Sequence, residues 1–407
     1  MDLNKIIADG DVQGLADFAK THGLVLRDGK LVAESDEARE KIIARSKFFD
    51  GRQMARKTLL NSLYGALLNE GLRFHDPRMG QSVTLTGRSI ARHMNAKINE
   101  IIAGVYDHTG DAIVYADTDS SYFSASPMMG DDFNDNRDLV IELYDKVADA
   151  ANESFPDFMD RTFNTGKDRG AIIAAGRELV ASKALFIKKK KYACLIYDLE
   201  GTRLDGDNNP GKLKAMGLDL KRADTPAAMQ NFLTRCLMDI LTGAEEKQIL
   251  SDIADFRLEF AKWKSWEKGS PKKVNNLSKY SAIKKNAAVV KVWKATAKEK
   301  KQMIPGHVEA SLNWNHMLDL HGDRYSMRIT DGSRIVVCKL KPNHLQMKAI
   351  AYPVDEPHLP EWFRGMAFDD TLMEETIIDK KVSNLVSVLG WNLKATKHSD
   401  ADEFIVF

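Results

Sequence analysis

"GDAIVYADTDSSYFSAS", residues 110–126, sets two aspartates, Asp117 and Asp119, between two runs of apolar, β-branched and aromatic residues. Such runs favour strands, and the polar "DTDS" between them has turn chemistry. The stretch therefore predicts a β-hairpin with both carboxylates projecting from its tip. Carboxylate oxygens with no cysteine or histidine beside them suit a hard cation such as Mg²⁺. An Asp-rich surface turn is the plain alternative, and the hairpin alone does not decide between them. Two Mg²⁺ ions about 3.5–4 Å apart are the usual clamp for in-line phosphoryl transfer, and holding them takes at least one further carboxylate from elsewhere.

Around this hairpin the chain reads as α+β. Residues 1–69 read as helical: "SDEAREKIIARSKFFDGRQMARKTLLNSLYGALLNE" opens on a cap-like Ser35-Asp36, carries acids in its first turn and spaces its apolar residues by three and four. From about 70 to 213 strands and helices mix, with "NRDLVIELYDKVADAANESF" helical and "KALFIKKKKYACLIYDLEGTRL" forming two strands or one bent strand. Beyond 214 comes a helix pair in "TPAAMQNFLTRCLMDILTGAEEKQILSDIADFRLEFAKWK", then a lysine-rich segment, then short strands around "RIVVCKL" and "KAIAYPV". No internal repeat or low-complexity linker interrupts this order.

With 407 residues, 43% hydrophobic and 29% charged, the chain is long enough for two or three domains with real cores. No run of about 18 apolar residues occurs, and "MDLNKIIADGDVQG" lacks the regions of a signal peptide, so a soluble cytoplasmic protein is expected. Cys194, Cys236 and Cys338 stand far apart with no CxxC, which indicates neither a zinc site nor a disulfide framework.

Net charge is only +1, yet residues 262–301 hold thirteen lysines against two glutamates. A solvated lysine face is the plain reading of such a run. Trp263, Trp266, Tyr280 and Trp293 are interleaved with the lysines, which solvation does not require, and this favours contact with a nucleic-acid backbone. A second polar pattern interrupts the apolar helix "RKTLLNSLYGALLNE": Lys57, Asn61 and Tyr64 fall at i, i+4, i+7, on one stripe, with Gly65 beside them. A lysine, an amide and a phenol so arranged can meet a phosphate, a sugar or base edge, and an aromatic face. The glycine, unfavourable within a helix, permits close approach of another molecule.

Taken together, "KTLLNSLYG", "YADTDS" and "KKKY" (Lys189, Lys190, Lys191, Tyr192), in this order, resemble the fingers helix, the palm metal motif and the palm-thumb motif of family B DNA polymerases. The flanking text, such as "LRFHDPRMGQSVTLTGRSIARHMNAKINE", is similar to the replicative polymerases of T-even-like bacteriophages. The resemblance implies distal fingers at 1–69, palm at 70–213 and thumb at 214–407. It implies that Asp119 ligates both of two Mg²⁺ ions and that Asp117 ligates or orients close by. Lys57 would bind the triphosphate of an incoming dNTP, supported by Asn61, with Tyr64 and Gly65 against the nascent base pair. Lys189, Lys190, Lys191, Tyr192 and Lys214 would hold primer-template DNA.

Ala116 stands where the family usually has glycine before the first aspartate, which puts little in doubt. The family's first palm motif, an aspartate followed by "SLYPS"-like residues, has no counterpart, and no exonuclease motif is visible. The resemblance thus implies the C-terminal part of a split polymerase whose N-terminal subunit supplies the other carboxylate. The alternative is a non-catalytic duplex-binding remnant or an accessory protein derived from a polymerase. The ending "HSDADEFIVF", with Phe404, Ile405 and Phe407, is similar in position and character to a sliding-clamp-binding tail, and reads equally as a terminal strand tucked on the thumb.

Overall fold

The computed structural model describes residues 6–7, 10–27, 29–130, 136–206, 209–281 and 304–396. Helices and small antiparallel sheets make up an α+β chain, as expected, and it divides into two compact units. The first comprises residues 1–96, 106–109 and 118–121; the second comprises residues 97–105, 110–117 and 122–407.

In the first unit, helix α1 (Val12–Thr21) starts at Asp11, whose carboxylate accepts the Gly14 N–H at 2.8 Å. Strands β1 (Leu24–Arg27) and β2 (Lys30–Ala33) then pair antiparallel, so the expectation that residues 1–69 are helical is corrected at this hairpin. Gly29, at φ 74, supplies the left-handed backbone that turns one short apolar run against the other. Helix α2 (Asp36–Leu67) follows, capped by Ser35, whose Oγ accepts the Ala38 N–H at 3.1 Å. None of its described side chains is buried, and Leu59, Leu60 and Leu63 are 63–71% exposed. Helix α3 (Pro77–Ala103) begins in this unit and carries the chain to the carboxylate hairpin.

The second unit contains β3 (Ile113–Asp117) and β4 (Ser120–Phe123), with the turn between them grouped with the first unit. Next come α4 (Arg137–Asn152) and α5 (Phe155–Phe163). Strands β5 (Leu179–Lys188), β6 (Lys191–Leu199), β7 (Thr202–Arg203) and β8 (Lys212–Met216) form one antiparallel sheet with β6 at its centre. Alternation along β6 explains its burial on both faces. Ala193 and Leu195 enter a core with α6 (Ala227–Thr242) and α7 (Glu246–Ala261), while Tyr192, Cys194 and Ile196 pack on the opposite side. Each large apolar side chain so buried contributes roughly 1.5–3 kcal/mol.

A second core lies where α8 (Gly306–His321) covers the sheet formed by β9 (Ser270–Lys273), β10 (Arg334–Lys339) and β11 (Ala349–Pro353). Here the reading of the lysine-rich run changes. Trp263 packs against the first core, and Trp266 and Tyr280 pack against the second, so their spacing answers to core packing. Lys268 is buried with its ammonium on the Ala261 carbonyl at 3.1 Å and the Asp370 carboxylate at 2.8 Å, and Lys272 pairs with Asp224 at 2.6 Å. Trp293 and the lysines from 284 to 301 lie outside the described residues. The three cysteines are free and buried. Among the described residues no helix is long and apolar enough to cross a membrane.

Candidate active site

Two hairpins converge in the second unit. β3 ends at Asp117 and β4 begins at Ser120, leaving the two-residue turn Thr118-Asp119. Thr118 takes φ 59, a conformation that β-branched residues rarely adopt and that marks a locally strained turn. Asp119 is exposed at this tip. The second hairpin joins β5 to β6 through Lys189-Lys190, with a register shift beside the turn between Phe186 and Lys188 and with Lys190 at φ 63.

An aromatic cluster locks the hairpins together. Phe186 and Tyr192 face each other across β5 and β6 with ring centroids 5.5 Å apart. Tyr115 lies 5.4 Å from Phe186 and 5.6 Å from Tyr192, and Tyr122 lies 5.2 Å from Tyr192. The Tyr122 and Tyr192 hydroxyls are 2.8 Å apart, and burial pushes the Tyr122 phenol well above its ordinary pKa, so it stays protonated. Offset aromatic pairs of this kind add about 0.5–1.5 kcal/mol each beyond their buried area.

This bracing delivers Lys190 to Asp117. The Lys190 backbone N–H donates to the Tyr115 hydroxyl at 2.9 Å, and its ammonium lies 3.2 Å from Asp117 Oδ1. Gly217, at φ 65, lets the end of β8 rest on the same turn: a Cβ there would stand 2.0 Å from the Lys190 carbonyl oxygen. Gly217→Ala is therefore expected to destabilise the chain by about 1–3 kcal/mol and displace the Lys190 turn. Thermal melts test this. A Gly217→Ala variant that melts as the wild type does would show that the turn does not depend on this approach.

The remaining sequence-derived residues are placed as follows. Lys189 is exposed, Lys191 half-buried, and Tyr192 buried within the aromatic cluster. Lys214, on β8, is paired with Glu178 at 2.6 Å and only 24% of its side chain is exposed, so its charge is already engaged. In the first unit Lys57 and Asn61 are exposed on α2, Tyr64 is half-buried, and nothing lies within 4 Å of where a Gly65 Cβ would be. Phe404, Ile405 and Phe407 lie outside the described residues. Sequence reading missed Tyr115, Phe186 and Gly217; Tyr115 and Phe186 each stand as the single aromatic of their strand, so no local pattern points to them.

The donors at the hairpin are hard oxygens, which fit Mg²⁺, and Asp119 presents its carboxylate to solvent. Asp117 is engaged by Lys190. Among the described residues no group of three His, Cys, Asp or Glu side chains gathers as a metal site. The exposed Asp119 carboxylate fits a single hard cation rather than a complete metal site.

An α+β chain that braces an acidic hairpin against a lysine-bearing one matches a known class: residues 30–158 fit the model of DNA polymerase family B. The chain is a relative of the family B DNA polymerases, and its kinship extends to those of T-even phages. It is 33% identical over 210 residues to the DNA-directed DNA polymerase of Escherichia phage RB69, covering 47% of this chain and 22% of that protein. It is 28% identical over 318 residues to the DNA-directed DNA polymerase of Enterobacteria phage T4, covering 74% of this chain and 33% of that protein. Similarity to the DNA polymerase alpha catalytic subunit of Dictyostelium discoideum is 26% over 238 residues, covering 58% of this chain and 14% of that protein. The chain thus spans a third or less of the length of these relatives.

Proposed function

We propose that this chain is the C-terminal catalytic portion of a DNA-directed DNA polymerase, with distal fingers at 1–69, palm at 70–213 and thumb at 214–407. The observation that carries this reading is the meeting of two polymerase-like motifs, Lys190 of "KKKY" lying 3.2 Å from Asp117 of "YADTDS". Phosphoryl transfer needs positioning and charge neutralisation more than a protein nucleophile, and the chain's inventory of carboxylates and lysines suits that need. Bound Mg²⁺ would supply charge neutralisation at the reacting phosphate. Asp119 is the carboxylate that would hold it, while Asp117 acts one step back by orienting Lys190. Lys57 neutralises the triphosphate of the incoming dNTP, Asn61 supports it, and Tyr64 with Gly65 abuts the nascent base pair.

The second metal-bridging carboxylate comes from polymerase sequence outside residues 1–407, carried by an N-terminal partner subunit. The exposed leucines of α2 favour this, since a helix of that length with no buried side chain gains little from its own fold. A clamp-binding role for Phe404, Ile405 and Phe407 rests on sequence character alone.

Duplex binding tests the DNA-facing half of the proposal. Affinity for primer-template DNA is expected to fall steeply with salt, since each neutralised phosphate releases about 0.9 counterion. Replacing Lys189 and Lys190 by alanine should weaken binding and reduce the slope of log affinity against log salt by roughly 2. A flat salt dependence, or unchanged affinity in the double variant, would contradict it.

A further inference from the structure

The C-terminal part of α3 carries polar side chains that a helix interior rarely buries, and Asn99 is among the most enclosed, at 2% exposure. Its Nδ2 donates to the Val105 carbonyl at 2.8 Å, and its Oδ1 accepts the Ala112 N–H at 3.1 Å. One partner is an acceptor and the other a donor, so only one orientation of the amide satisfies both. The side chain therefore ties the two ends of the loop that leads from α3 into β3.

Two further contacts make this tie consequential. Gly110 lies so close that a Cβ on it would stand 2.1 Å from Asn99 Nδ2, and the Gly110 carbonyl accepts the Ile113 N–H at 2.9 Å as the strand begins. Ala112, whose N–H is held by Asn99, accepts the Ser124 N–H on its own carbonyl at 2.9 Å. The peptide groups on either side of Ala112 are thus fixed, one to the helix and the other to the far end of the carboxylate hairpin. Five residues of β3 then lead from Ala112 to Asp117.

We propose that Asn99 is a positioning residue for the carboxylate hairpin, setting where β3 leaves α3 and thereby where its acidic tip is held. This rests on the reading of that tip as a metal site. Asn99→Ala leaves the Val105 carbonyl and the Ala112 N–H without their partner, so β3 loses its anchor while the aromatic cluster stays intact. Gly110→Ala, whose Cβ would stand 2.1 Å from Asn99 Nδ2, displaces the same amide without deleting it.

The comparison that separates positioning from plain stability uses Asn152, a clamp of the same chemistry elsewhere in the unit. It donates to the Ala175 carbonyl at 2.8 Å and accepts the Ala175 N–H at 2.6 Å. Mn²⁺ binding to the full 407-residue chain, assembled with the N-terminal polymerase segment that carries the other carboxylate, is measured by electron paramagnetic resonance beside thermal melts. Asn99→Ala and Asn152→Ala are expected to lower the melting temperature similarly, while only Asn99→Ala weakens Mn²⁺ binding, by about tenfold or more. Gly110→Ala should weaken Mn²⁺ binding as well, since it pushes the Asn99 amide from its two partners. A folded Asn99→Ala chain with wild-type Mn²⁺ affinity would overturn the proposal; were that variant unfolded, a folded Gly110→Ala chain with wild-type Mn²⁺ affinity would do the same. If Asp119→Ala binds Mn²⁺ as the wild type does, the metal reading itself falls, and this inference with it.

Discussion

Asp119→Ala is expected to leave folding and DNA binding nearly unchanged while lowering nucleotide addition by the assembled enzyme by at least about 10²–10³-fold, since it removes the charge stabilisation of the transferring phosphate. Three observations support so selective an effect. The side chain is exposed, so its loss removes no core contact. It sits at the second position of a turn whose backbone is set by Thr118 and the flanking strands rather than by its own packing. Lys189 and Lys190, proposed above to hold DNA, lie on a different hairpin. Asp117→Ala should behave otherwise: it frees Lys190, so its effect is expected partly in DNA affinity as well as in rate. Single-turnover primer extension beside anisotropy titration separates the two. Extension by Asp119→Ala at a rate comparable to wild type would show that the metal is held elsewhere.

Much of the hairpin is legible because runs of apolar, β-branched and aromatic residues favour strands, and "IVYADTDSSYF" places turn residues between two such runs. The same holds for β5, β6, β10 and β11, and for the helix pair α6 and α7, whose apolar spacing builds a core. What could not be read were pairings across distance. Nothing local says that Lys190 meets Asp117; that contact follows from Tyr115, Phe186 and Tyr192 closing on one another from three strands. Nor does a glycine in "KAMGL" reveal that it lies against the Lys190 carbonyl. The β1–β2 hairpin escaped notice because runs of four residues are too short for period alone to separate strand from helix. Trp263, Trp266 and Tyr280 misled because aromatic side chains serve cores and nucleic-acid surfaces alike, and here they serve cores.

On the proposed function, these residues form one wall of a polymerase active site and need the other. Two-cation transfer requires both ions at a fixed separation, and the hairpin offers Asp119 to hold them while Asp117 is engaged by Lys190. On α2 the exposed Leu59, Leu60 and Leu63 are expected to lie against the completing segment, so association should bury apolar surface and raise the melting temperature of the chain. The decisive measurement is Mg²⁺-dependent primer extension by the purified chain, alone and after co-expression with an N-terminal polymerase segment bearing the "SLYPS"-like aspartate. The prediction is no templated synthesis by the chain alone, and recovery in a stable one-to-one complex that is lost again with Asp119→Ala. Robust templated synthesis by the chain purified to homogeneity without any partner, or a stable complex that binds duplex DNA yet never extends a primer, would contradict it.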